Sequence, residues 1–131
     1  MDKQTGLCPC GNPESYINCC GRYIDGAEFA PTAEALMRSR YTAYALDRSN
    51  YLLATWHHST RPVSLDLTAE PRCKWIGLEV KRHQYDPQDP DHAVVEFVAR
   101  YKIGGRAHRL HEVSRFVREA GQWFYLDGDV D

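Results

Sequence analysis

The chain predicts an α+β fold, on three observations. Four cysteines crowd the first twenty positions, apolar residues then recur at helical spacing up to about residue 56, and from residue 75 the period drops to two. A run of helices followed by hairpin-linked strands places helices on one face of an antiparallel sheet. With 131 residues, 43% of them hydrophobic and 26% charged, the chain is long enough for one core and a small appendage.

The appendage comes first. Cys8-Pro9-Cys10 and Cys19-Cys20 put four thiols within thirteen positions. Four thiolates close a tetrahedron around Zn²⁺, with Zn–S bonds of about 2.3 Å and no open position, so the site reads as structural. Gly11-Asn12-Pro13 is turn chemistry that would aim backbone N–H groups at the sulfurs of the first pair. Two disulfides or an iron–sulfur cluster are the competing readings. The N-terminus lacks the charged and apolar regions of a secretory signal, which favours a reducing cytoplasm and hence metal. Cys73 reads as a small buried hydrophobe opening a strand.

Composition narrows the class. No apolar run approaches the roughly 20 residues that cross a bilayer, and the mean hydropathy is -0.57. A net charge of -2 gives no support for a nucleic-acid partner. The local basic stretches, Arg38 with Arg40 and residues 106–109, are short, and Lys3 and Arg22 near the cysteines are too few.

Residues 26–31 carry turn residues and a proline, which sets a boundary between 1–26 and 27–131. Thr32 is then a helix N-cap with Glu34 in the first turn. Ala33, Leu36, Met37, Tyr41, Tyr44 and Ala45 share a face through about Arg48. Ser49 or Asn50 opens a shorter helix through Leu52, Leu53 and Trp56, which stops by Arg61-Pro62. Residues 62–72 read as loop.

The sheet follows. Residues 75–85 alternate, with Ile76, Leu78 and Val80 on one face and Trp75, Glu79, Lys81 and His83 on the other. Residues 86–91 break the strand. In the next, Val95, Phe97, Ala99, Tyr101 and Ile103 share a face, and Gly104-Gly105 makes a two-residue hairpin loop. A third strand spans about 106–118, Ala120-Gly121 turns the chain, and 122–127 is the fourth.

Two breaks in the pattern mark candidate sites. Arg40 falls on the apolar face of the first helix, where a charge needs a partner. On the third strand Glu112 and Ser114 lie between Leu110 and Phe116, so Glu112 is the expected counter-charge. His57-His58 reads as a surface or capping pair, because adjacent side chains diverge, and His108 and His111 face opposite sides of a strand. No Ser/His/Asp order, phosphate-cradling glycine loop or paired-carboxylate motif is recognisable.

Cys-Pro-Cys-Gly, Tyr16 and Cys19-Cys20-Gly21 together resemble a SEC-C motif. The blocks 36–41, Tyr51-Leu52, 55–57, 75–78, 96–101, His111-Glu112, 114–116, 121–125 and Asp127-Gly128 resemble the YchJ-like family nearly end to end. The resemblance implies a SEC-C zinc knuckle over 1–26, with one zinc ion on Cys8, Cys10, Cys19 and Cys20. It also implies an NTF2-like domain over 27–131, a cone of helices on a curved four-stranded antiparallel sheet. The function it implies is a cytoplasmic protein-interaction or adaptor role toward chaperone, secretion or translation machinery. The alternative is a small-molecule-binding or enzymatic pocket inside the cone, centred on Arg40 and Glu112 and lined by these with Tyr44, Trp56, Trp75 and Ser114, in which Glu112 would serve as acid or base. Partner, ligand and oligomeric state are open at this level.

Overall fold

Alternating residues and tight turns generate a meander. Strands β1 (Lys74–Asp86), β2 (Asp89–Ile103), β3 (Arg106–Glu119) and β4 (Gln122–Val130) pair antiparallel in the order β1-β2-β3-β4. These elements come from a computed structural model that describes residues 7–68 and 72–131; Lys3 and loop positions 69–71 lie outside the described residues. Gly104 and Gly105 turn β2 into β3 with φ of 57° and 81°, values open to glycine at little cost. Between β1 and β2 the break is shorter than expected. Asp86 already pairs with Asp89, and the Asp86 carboxylate accepts the Gln88 N–H at 2.8 Å.

The expected phase of β1 is wrong at both ends. Irregularities between Trp75 and Gly77 and between Val80 and Arg82 each shift the alternation, so Trp75, Leu78, Val80 and His83 sit opposite Tyr101, Ala99, Phe97 and Val95. Trp75 therefore joins the core face while Ile76 is exposed. A bulge moves every later side chain to the other face, and period counting does not see it.

Among the described residues, three α-helices precede the sheet: α1 (Gly21–Ile24), α2 (Ala33–Ala45) and α3 (Ser49–Ala54). Thr32 caps α2, its hydroxyl accepting the Ala35 N–H at 3.0 Å. Helix α2 is buried on more than its apolar stripe, because α1, α3 and the sheet all pack on it. Ser39 and Thr42 are buried accordingly, and the Ser39 hydroxyl bonds the Leu36 carbonyl at 2.8 Å. Helix α3 ends before Trp56. Thr55 caps it, and Trp56 bridges to Tyr125 of β4 instead: Tyr125 N–H donates to the Thr55 carbonyl at 2.8 Å, and His57 N–H to the Tyr125 carbonyl at 2.8 Å.

One contiguous core joins these layers. It includes Leu36, Met37 and Tyr41 of α2, Val95, Phe97 and Ala99 of β2, Phe116, Trp123 and all four N-terminal cysteines. Cys73 is half-buried just before β1.

Candidate functional site

Local turns build the cysteine cluster. Cys8 N–H donates to the Glu14 carbonyl at 2.8 Å, folding Cys8-Pro9-Cys10 back over residues 14–15, and a 3-10 turn at Tyr16–Asn18 delivers Cys19 and Cys20. Gly21 is required next, since a Cβ there would lie 2.7 Å from the Tyr16 carbonyl oxygen. The four sulfurs are buried and lie within 4.8 Å of one another. Cys10 and Cys19 Sγ are 3.7 Å apart. Zn–S bonds of about 2.3 Å set an S···S edge of roughly 3.8 Å in a tetrahedron, so the donor set fits a four-coordinate metal.

Hydrogen bonds reach these sulfurs from several sides. The Gly11 N–H donates to the Cys8 carbonyl at 3.2 Å, closing the turn beneath the first pair. Asn12 Nδ2 lies 3.6 Å from Cys19 Sγ. The Thr42 hydroxyl on α2 donates to Cys20 Sγ at 3.3 Å and lies 3.7 Å from Cys8 Sγ. Arg38, in the turn before, donates to the Cys10 carbonyl at 3.0 Å. Side-chain bonds from Cys10 and Cys20 hold the Cys8 thiol far below its ordinary range, while the same contacts push Cys20 up. Crowded sulfurs cannot all be thiolates without a cation to share.

The second assembly lies between α2 and the sheet. A cavity of about 260 Å³, neither sealed nor flat, has Arg40, Tyr44, Trp56, Trp75, Glu112 and Ser114 on its walls, with Phe97, Leu110, Phe116 and Tyr125. All six residues named from sequence therefore line one space. Trp75 contacts Tyr41, Tyr44 and Tyr101 at centroid distances of 5.8, 5.9 and 5.2 Å, which makes one wall aromatic.

The expected ion pair between Arg40 and Glu112 is absent. Arg40 Nη1 donates to the Leu52 carbonyl at 2.8 Å and the Thr55 hydroxyl at 2.7 Å. Its guanidinium carbon lies 5.0 Å from the Trp56 ring centre and 4.6 Å from that of Tyr125. Aromatic faces and a helix-end carbonyl thus stand where a carboxylate was expected. Burial pulls the Arg40 pKa down, opposed by neighbours including Tyr44 and Glu112. Glu112 Oε2 instead accepts from the Ser114 hydroxyl at 2.6 Å and the Tyr125 hydroxyl at 3.1 Å. Burial, then the Glu112 charge, raises the Tyr125 phenol. Gly128 leaves room for this carboxylate, since a Cβ there would collide with it.

His57 and His58 meet Glu119, and the three offer ligand atoms within 4.8 Å of one another. Hydrogen bonding opposes a metal there. The Ser59 N–H donates to His57 Nδ1 at 3.2 Å, so the proton of the neutral ring sits on Nε2, 2.8 Å from Glu119 Oε2. That pair pins the 55–60 segment to the end of β3.

Thr42, Tyr125, Gly128 and Glu119 escaped the sequence reading. Each acts on a residue at least thirteen positions away, and Tyr125 and Thr42 carry no charge to stand out on an apolar face.

Known proteins agree with this architecture. Residues 32–128 match the sequence model of the YchJ middle NTF2-like domain. A UPF0225 protein of Methylibium petroleiphilum is 59% identical, over 95% of this chain and 88% of its own length. A UPF0225 protein of Bordetella pertussis is 56% identical, over 94% and 92%. The solution structure of a SEC-C motif containing protein from Rhodopseudomonas palustris superposes with a TM-score of 0.82 at 31% identity, covering 93% of this chain and 96% of that one. A crystal structure of a SEC-C motif containing protein from Psychrobacter arcticus gives 0.75 at 34% identity, over 92% and 80%.

Proposed function

The chain belongs to the UPF0225 family of YchJ-like proteins, and from that premise we propose that it binds a small organic molecule in its NTF2-like cavity, between Arg40 and Glu112. A structural zinc ion on Cys8, Cys10, Cys19 and Cys20 braces the helix that carries Arg40. The two charges line one cavity of about 260 Å³ without pairing to each other, and this carries the reading. Charges buried for stability alone are normally paired, whereas a cation and a carboxylate on separate walls leave both for a guest. An all-thiolate set at tetrahedral spacing supports zinc.

Ligand-observed NMR with an aromatic fragment set on the full chain tests the cavity. Hits should shift resonances of Phe97 and Tyr125 and vanish in Ala99→Leu, which fills the space. Hits that persist unchanged in that variant would place binding elsewhere. For the metal, elemental analysis of reduced protein should give one zinc per chain, lost in Cys19→Ser/Cys20→Ser.

The adaptor reading has its own support. Leu7 and Ile17 are 59% and 75% exposed on the knuckle, an apolar surface open to a cytoplasmic partner from chaperone, secretion or translation machinery. Pull-downs should lose a partner in Ile17→Asp, which keeps every cysteine; identical captures from both proteins would remove this reading.

A further inference from the structure

We infer that the guest of this cavity is a zwitterion of amino-acid size, carrying a carboxylate for Arg40, an ammonium for Glu112 and an apolar or aromatic body for the remaining walls. This rests on the cavity reading above and adds the ligand's charge pattern. Both charged residues are half satisfied. Arg40 spends Nη1 on the Leu52 carbonyl and the Thr55 hydroxyl, and its other guanidinium N–H groups have no acceptor among the described residues. Glu112 takes both of its donors, Ser114 and Tyr125, on Oε2, which leaves Oε1 without a donor among the described residues.

Tyr125 sets the spacing. Its ring faces the guanidinium at 4.6 Å and its hydroxyl reaches Glu112 at 3.1 Å, so the two charges stand about one phenol apart. A short zwitterion spans such a gap in either direction of its dipole, and only one orientation satisfies both ends. An anion alone would meet Glu112 across a poorly screened space, and a cation alone would meet Arg40. A neutral guest would leave both charges short of partners. Trp75, Phe97 and Phe116 offer the body an apolar seat. The 260 Å³ exceeds the roughly 150 Å³ that holds a benzene ring, which leaves room for a short charged chain.

Four probes built on a phenyl ring separate the possibilities in calorimetric or NMR titrations of the zinc-loaded full chain: L-phenylalanine, 3-phenylpropanoate, 2-phenylethylamine and 3-phenylpropan-1-ol. L-Phenylalanine should bind at least tenfold more tightly than any other probe. In Glu112→Gln, which keeps the shape of the wall, its advantage over 3-phenylpropanoate should disappear. If a singly charged or neutral probe matches L-phenylalanine, the zwitterion assignment falls while the cavity remains a ligand site. If none of the four binds at millimolar concentration, the cavity reading falls and takes this inference with it. The comparison among probes needs no variant, so a folding defect in one cannot obscure the result.

Discussion

Arg40 is a cation buried without a carboxylate, and its neighbours are two aromatic faces, a carbonyl and a hydroxyl. Such an arrangement recovers only part of the desolvation cost of a charge, so Arg40 adds little to stability. Arg40→Met should unfold in urea within about 1 kcal/mol of the parent, or later, because apolar replacements of buried charges are often neutral. A loss above about 3 kcal/mol would instead make it a keystone of the fold. Thr42 is the opposite case, a neutral hydroxyl aimed at the Cys20 sulfur. Thr42→Val keeps the shape and removes the donor. It should weaken metal retention against a chromogenic chelator by about tenfold or more, the range typical of groups that support ligands. Unchanged metal affinity would show that the contact is incidental.

Strand pairing places titrating groups against one another on the outer face of the sheet. His111 on β3 bonds Glu96 of β2 through Nε2 at 2.7 Å and Asp131 through Nδ1 at 3.3 Å. The Glu96 contact raises the His111 pKa, and the same bond lowers that of Glu96. A raised histidine stabilises the fold fully below its unfolded pKa, about 6.5, and loses that contribution as pH rises through the folded value. A depressed glutamate contributes above its unfolded pKa, about 4.3, and loses that as pH falls through the folded value. The pair is therefore most favourable between those two unfolded pKa values. NMR titration of the His111 ring should give a midpoint above the usual histidine value, and Glu96→Gln should lower it. An unmoved midpoint would sink the assignment.

At the scale of the molecule, the knuckle and the cone share one core. The four cysteines belong to the same core cluster as Leu36, Met37 and Phe116, and Arg38 and Thr42 tie the knuckle to α2. The sheet retains apolar partners of its own, among them Val95, Ala99, Phe116 and Trp123. Chelation of the metal should accordingly raise amide hydrogen exchange across residues 7–30 and the α2 turn around Thr42, while the β2 and β3 amides stay protected. Global exchange on chelation would mean that the cone cannot hold together without the metal. Local exchange confined to residues 7–25 would mean that α2 does not feel it.

The sequence alone determined what is local: which four thiols come together, where a glycine pair turns β2 into β3, and which residues of β2 and β3 share the inner face. Thiol chemistry and side-chain period act over a few positions, so Cys8, Cys10, Cys19 and Cys20 and the strands from Val95 to Phe116 were readable directly. Tertiary structure decided what depends on contacts across the chain. Two irregularities in β1 turned Trp75 inward, Trp56 left the expected helix to bridge Tyr125, and an aromatic ring took the place of a carboxylate beside Arg40. Each of these is a competition between distant groups for one buried space, and only the packed molecule settles which of them wins.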